Sequence, residues 1–416
     1  MGESGILLVD KPQGVTSHDV VGAVRGTLHT RHVGHAGTLD PMATGLLVVG
    51  FGKATRLLRY MVGHHKEYVA TIRLGLATDS DDADGTLIRP ENSAMNEIES
   101  VLKAITQEGL QTLVNEFFVG TIDQVPSAFS SVRVHGKHAY ELARNGEIPN
   151  LKARAITISS FQILDVQHSE VEISGNEAPG VAAVAQTSED EQPLTSQRSL
   201  GGDTESSAGG EHMIAMPVVD VKVRVSCSSG TYIRALARDL GSRLGTGGHL
   251  IALRRTQVGN FRIGSSGSSG SAEISGSFGD ESTERNEDTT SAENIATVKV
   301  VQREHKDRKT GEVEIRNRAV MTDSAETLLE YALSPAEAAS TIMDSIEISP
   351  KEAMDLAHGR AIDRPINVTT AAIYVAHDSV EADAPRIAEA LNSPRLCAIL
   401  VPDGNDMARP QTVFPL

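Results

Sequence analysis

The chain opens its ordered pattern with Gly5–Asp10 (GILLVD), an apolar run that stops at Lys11-Pro12, which predicts a buried strand and a turn. Ser17-His18-Asp19 then precedes VVGAVRGTL, a helix with a polar start. Thr44–Val49 (TGLLVV) is strand-like, and residues 67–76 (EYVATIRLGL) alternate as a half-buried strand should. Residues 95–108 and 137–144 have helical character. VVDVKVRVSC alternates again, and a Ser-Ser-Gly turn leads to TYIRALARDLGSRLG. There Ile233, Leu236, Leu240 and Leu244 line one face of a helix that stops at Gly245. AAIYVAH and LCAILV predict strands of a small β-rich domain from about residue 346. The mixture is α+β.

Two stretches break this pattern. Residues 175–211 are rich in Gly, Ala, Ser, Thr and Glu, and residues 264–291 begin GSSGSSGSAEISGSFGDESTERNEDTTS. Neither holds enough large apolar side chains to offset the entropy of ordering, so both read as flexible, solvated segments. They suggest an insertion at about 169–211 and a linker at 264–294, separating ordered parts at 5–168, 213–263 and 295–416. The absence of Trp and an aromatic content of only 3% agree with a chain that is not packed throughout.

Charge follows the same division. The net charge of −17 is unfavourable for a partner bearing phosphates. Residues 169–211, however, carry nine acids against Arg198, and residues 264–294 carry seven against Arg285. Residues 221–263 hold eight bases (Lys222, Arg224, Arg234, Arg238, Arg243, Arg254, Arg255, Arg262) against Asp239 alone. The local field, rather than the whole-chain charge, governs contact with a polyanion. No basic start with an apolar run marks a secretory signal, and no stretch approaches the length of a membrane span. The two cysteines, Cys227 and Cys397, suggest no disulfide framework and fit a reducing cytoplasm.

The densest candidate site is Arg31–Thr44, RHVGHAGTLDPMAT. Asp40 lies between Leu39 and Pro41 in a loop with Gly34, Gly37 and Gly45, where glycines allow sharp turns and Pro41 fixes the chain after the acid. Such preformed loops carry site residues. On composition alone, a turn capped by Asp40 is the simpler reading. His29, His32 and His35 recur every three residues, but no Cys or fourth His at suitable spacing completes a ligand set, so no metal is expected. Ser80–Glu91 imitates a calcium loop only in part, because Ser80 holds the first ligand position and a strand precedes it. Gly50-Phe51-Gly52-Lys53-Ala54 lacks the glycine spacing and the hydroxyl of a phosphate loop.

GHAGTLDPMATG resembles the signature loop of the TruB family, the tRNA pseudouridine-55 synthases. GILLVDKPQGVTSHDVV looks like that family's Lys-Pro motif and HKEYVATIRLGLATDSDDADG like its tyrosine motif. QVPSAFSSVRVHGKHAYELARNG resembles its substrate-gripping insertion. VSCSSGTYIRALARDLG and LRRTQVGNF resemble its arginine and leucine motifs. The matches run in order across most of residues 5–263, which is far more specific than one short pattern. The resemblance implies a pseudouridine synthase catalytic domain at 5–263, with a mixed or antiparallel sheet flanked by helices. The C-terminal region, with ISPKEAMDLAHGRAI, resembles a PUA-like RNA-binding domain at 346–416, of the type found in high-GC Gram-positive bacteria.

By the same resemblance Asp40 is the catalytic carboxylate and Arg234 the arginine that pairs with it. Tyr68 stacks on the target uracil, Tyr232 and Leu253 line the uridine pocket, and His35 supports extrusion of the base. The residues alone leave plainer readings open: a surface helix residue for Arg234, a strand aromatic for Tyr68, packing for Tyr232 and Leu253. Arg133, Lys137 and Arg144, interleaved with His135, His138 and Tyr140, suggest RNA contact or a solvated amphipathic helix equally. The implied reaction breaks the bond from uracil N1 to the ribose and rejoins the ring through C5. It has no redox step and requires no cofactor or metal. The implied partner is the T stem-loop of tRNA, met by a monomer in the cytoplasm without a guide RNA or a membrane. A non-enzymatic tRNA-binding or tRNA-folding protein on the same scaffold is the alternative.

Overall fold

In the computed structural model, the N-terminal apolar run is β1 (Gly5–Lys11), followed by α1 (Ser17–Thr27), β2 (Val33–Ala36), β3 (Thr44–Phe51) and β4 (Lys66–Leu74). Next come α2 (Met95–Ala104), α3 (Gln107–Phe117), β5 (Gly120–Gln124), β6 (Arg133–Val134), β7 (Lys137–His138) and α4 (Ala139–Arg144). β8 (Arg154–Ser174), β9 (Met213–Cys227), α5 (Ile233–Leu244) and β10 (Gly248–Val258) follow. The last part holds β11 (Ala296–Lys306), β12 (Val313–Met321), α6 (Pro335–Ile342), β13 (Asp344–Ile348) and β14 (Ile362–Asp363). It ends with β15 (Thr370–Tyr374), β16 (Arg395–Pro402) and β17 (Met407–Val413). The structure describes all residues except 1–2, 91–93, 131, 135, 146, 148, 175–212, 264–271, 275–289, 293, 307–312, 377–392, 405 and 415–416.

The chain divides into two units, Met1–Tyr68 with Arg254–Leu416, and Val69–Leu253. In the first, β3 pairs antiparallel with β1, from Gly5↔Phe51 to Lys11↔Gly45, and antiparallel with β2. It pairs in parallel with β10 at Arg254↔Thr44, and β1 pairs in parallel with β11 at Val9↔Ala296, so the sheet is mixed. Being covered on both faces, β1 and β3 read as continuous apolar runs rather than as alternation. A second sheet, in the order β13–β15–β16–β17–β14, forms the β-rich C-terminal part and begins at Asp344. Ile6, Leu46 and Val48 share one buried cluster with Ala338, Ile342, Ile399 and Phe414. The N-terminal strands, α6 and the C-terminal sheet therefore bury their apolar faces in common.

The second unit is built on strands in the order β4–β9–β8–β5, with β8 antiparallel to both neighbours. α5 buries Ile233, Leu236 and Leu240 as the spacing predicts, and Gly245 ends it at φ 73°, a left-handed value glycine adopts without a Cβ clash. The fold is thus α+β, with a mixed sheet and helices. Among the described residues, no helix is long and apolar enough to cross a membrane.

Several local expectations change. Ser17-His18-Asp19, expected to precede α1, form its first turn, and Thr16 is the cap: its side chain accepts from the Asp19 amide, and the Asp19 carboxylate accepts from the Thr16 amide. Residues 95–108 form two helices, because Ile105 is extended and Thr106 caps the second from the Gly109 amide. Lys137 and His138 are strand, and helix begins only at Ala139. β8 extends to Ser174, paired with Met213, so the first residues of the expected 169–211 insertion are strand; 175–211 lie outside the described residues. The expected linker at 264–294 also lies mostly outside them.

Candidate active site

The loop that runs from β2, the strand of His35, to β3 carries Asp40, and it is fastened at both ends and in the middle. Ser17 is buried at the start of α1, and its hydroxyl donates to the Leu39 carbonyl at 3.1 Å and accepts from the Leu39 amide at 2.9 Å. That two-way tie, with the Leu39 side chain buried, fixes the residue just before the acid. Just after it, the Pro41 carbonyl accepts from the Gly14 amide at 2.9 Å and from Lys11 Nζ at 3.3 Å. Lys11 is fully buried and also donates to Val15 at 2.7 Å and Pro12 at 2.8 Å. The Asp40 carbonyl accepts from the Ala43 amide at 3.1 Å, closing the turn.

Arg255 holds the flanks. Its guanidinium, 0% exposed, donates to Leu46 at 2.8 Å and to Gly37 at 3.0 Å, with Thr38 at 3.5 Å. One rigid, planar group therefore spans the two ends of the loop, geometry that a lysine cannot reproduce. The close approach requires glycine at position 45: a Cβ there would sit 2.3 Å from the Arg255 carbonyl oxygen, and φ is 98°. Asp40 itself is half-buried, on a segment whose backbone is fixed by neighbours distant in sequence. His35, on β2, is half-buried with Nδ1 unpartnered. Burial, then the charges of Arg255 and His18, hold its pKa below the usual histidine value, against a backbone hydrogen bond at Gly37 that raises it. Tyr68, on β4, is 8% exposed.

The remaining expected residues are in the second unit. Tyr232 precedes α5, and Gln124 grips its backbone from both sides, accepting from its amide at 2.9 Å and donating to its carbonyl at 3.0 Å. Arg234 is 4% exposed, not a surface helix residue. Its Nη1 lies 3.1 Å from Asp82 Oδ2 and donates to the Ser80 carbonyl at 3.2 Å, while Nη2 donates to the Phe129 carbonyl at 2.9 Å. Arg238, one turn on, pairs with Asp81 at 3.1 Å and with Asp239 at 2.8 Å. Two acids of the calcium-like segment, Asp81 and Asp82, are thus taken up by arginines. Burial nevertheless pushes the Asp81 carboxyl upward, against the pull of Arg238. Leu253 is buried on β10. Arg133 is exposed on β6, which pairs with β7, carrying Lys137, as a short hairpin.

Lys11, Ser17, Gln124 and Arg255 are the positioning residues that sequence reasoning did not single out. For Arg255 a signal existed. Along β10 it lies two residues from Leu253, and period-two alternation places both on one face.

An α+β chain whose half-exposed carboxylate sits on a loop gripped by buried cations is an enzyme scaffold in form. Residues 25–181 match the model described as TruB family pseudouridylate synthase (N terminal domain), and residues 234–272 the tRNA pseudouridylate synthase B C-terminal domain. A tRNA pseudouridine synthase B of Bifidobacterium longum is 39% identical over 99% of this chain and 98% of that protein. Those of Leifsonia xyli and Corynebacterium diphtheriae are 46% and 41% identical, over 62% and 63% of this chain and 68% and 70% of theirs. The chain belongs to the TruB family of pseudouridylate synthases.

Proposed function

We propose that this protein isomerises the uridine at position 55 in the T-loop of tRNA to pseudouridine, as a single chain in the cytoplasm without a guide RNA, with Asp40 as the catalytic carboxylate. The substrate class rests on the near full-length similarity to a protein named tRNA pseudouridine synthase B. The observation that carries Asp40 is the fastening of its loop: Ser17, Lys11 and Arg255 spend buried polar groups on backbone carbonyls around one acid. A turn that only reversed the chain would need no such framework. Preorganisation of this kind is what a group that must meet a reacting atom requires.

In the reaction the N1–C1′ bond of uridine breaks, the ring turns, a C5–C1′ bond forms, the C5 proton leaves and N1, freed from the sugar, takes up a proton. Asp40 starts it, either as nucleophile at C1′ or C6 or by drawing the sugar into elimination. Tyr68 stacks on the uracil and receives the C5 proton. Tyr232 and Leu253 shape the uridine pocket, and Arg234 keeps the role that the resemblance assigns to it. The target base must leave its stack, and His35 supports that extruded state. Arg133 and Lys137, on their hairpin, contact the RNA backbone.

The test follows tritium released from C5 of uridines in a T-loop RNA. Wild type is expected to release it, and Asp40→Asn to lose at least about three orders of magnitude in rate while keeping its affinity for RNA. A folded wild type that binds the RNA and releases nothing overturns the enzymatic reading and leaves a tRNA-binding or tRNA-folding protein.

A further inference from the structure

Among the described residues, β11 pairs with β1 at Ala296 and Thr297, and from Val298 onward with β12. The two strands run together from Val298↔Met321 to Lys306↔Val313, a two-stranded ribbon that is exposed on both faces over much of its length. Such a ribbon buries little and is marginal by itself, so its contribution to the core does not account for it.

Its register sorts the side chains. Residues directly opposite each other share a face, and alternate pairs lie on opposite faces. One face carries Lys299↔Val320, Val301↔Arg318, Arg303↔Arg316 and His305↔Glu314. Four cations and a histidine therefore line one side against a single acid. The other side carries Val300↔Ala319, Gln302↔Asn317 and Glu304↔Ile315, with Ile315 65% exposed, before Lys306↔Val313 at the end of the ribbon. The bases thus concentrate on the first side, in a chain of net charge −17.

Arg303 and Arg316 are the informative pair. Like charges directly opposite on a ladder destabilise it. Glu314 takes Arg316 at 2.7 Å, but both side chains are about half exposed or more, where such a pair contributes little. Arg318 lies 4.0 Å from Asp19. Among the described residues no carboxylate lies within 4 Å of Lys299 or Arg303. A row of bases that repel one another, with one or two on successive same-face rungs about 7 Å apart, is stabilised by an external polyanion.

We propose that this face of the β11–β12 ribbon binds the phosphate backbone of the substrate RNA, outside the site where the base reacts. The proposal rests on the reading of the substrate as RNA. The ribbon adds affinity and carries no base specificity, because it presents charges and no edge-reading groups.

The test compares wild type with Lys299→Thr/Arg303→Thr/Arg316→Thr, using a tRNA transcript. Threonine suits a strand, and removing the opposed arginines leaves the melting temperature unchanged or higher. The expected result is a Kd raised at least about ten-fold at low salt and a log–log salt slope shallower by about 2, with kcat at saturating RNA unchanged. Ile315→Ser, on the other face, leaves the Kd as it is. A triple variant with wild-type Kd and slope overturns the proposal, as does weakening by Ile315→Ser alone, which marks a docking face for an apolar partner instead. Wild type that binds the transcript with this slope but converts no uridine leaves the ribbon standing and overturns the enzymatic reading.

Discussion

Arg255 in the first unit and Arg234 in the second are both buried arginines, 0% and 4% exposed, and they are held in different ways. Arg234 meets the Asp82 carboxylate as well as two carbonyl oxygens. Arg255 meets carbonyl oxygens, and among the described residues no carboxylate lies within 4 Å of it. A buried charge with a carboxylate beside it is balanced electrostatically. A buried charge among carbonyl dipoles is tolerated for the geometry it enforces, because the desolvation is met only by hydrogen bonds. The first arrangement knits a fold together; the second brackets a loop, here the loop that carries Asp40.

The largest effect that separates them is on stability. Arg234→Met leaves Asp82 buried, at 4% exposure, without that guanidinium, and the unfolding free energy is expected to drop by about 3–5 kcal/mol in urea. Adding Asp82→Asn recovers part of the loss, since the uncompensated charge goes with it. Failure of the second substitution to recover anything sinks the argument that charge balance, and not packing, is what Arg234 supplies there.

Arg255→Met is expected to cost less, about 2 kcal/mol, because the lost carbonyl bonds are offset by removal of a charge with no anion beside it. Its main effect falls on turnover: kcat drops about 10- to 100-fold with KM little changed, as the loop loses its span from Gly37 to Leu46. Arg255→Lys does not restore kcat, since one ammonium cannot reach both ends. A lysine variant with normal kcat would reduce the role of Arg255 to bulk charge.

The same contrast explains what was legible in the sequence. β1, β3, β4, β9 and α5 follow from apolar periodicity, which is a local property, and Gly245 marks the end of α5 by its chemistry. The acid of the loop was visible through its glycines and Pro41. The fastening was not, because Ser17 reaches Leu39 across 22 residues and Arg255 reaches Gly37 across 218, and no local pattern encodes such ties. Residue type also misled at Arg234, whose basic side chain left a surface helix position open although the residue is 4% exposed. The break between α2 and α3 was missed because Ile105 continues an apolar rhythm while the cap at Thr106 ends it. The β11–β12 ribbon gave no core signal because it has no buried face to write one.

The smallest predicted effect sharpens the comparison most directly, since it reads the charge of Arg255 from a neighbour. His35 has a lowered pKa, chiefly from burial and next from Arg255, while buried His249 in the second unit is lowered by burial against a hydrogen bond to the Leu76 carbonyl. A histidine with a folded pKa below its unfolded value of about 6.5 binds fewer protons folded than unfolded in the window beneath 6.5. Stability is therefore full above that pH and is lost as pH falls through it. In Arg255→Met, the His35 ring proton followed by NMR titrates at higher pH than in wild type, and the loss of stability between pH 6.5 and lower values becomes shallower. His249 shifts little, because Arg255 is not among the charges acting on it. If both histidines moved together, a general loosening would account for the change. If neither moved, the Arg255 charge would be screened from the loop it holds, and its role would be that of a mechanical brace alone.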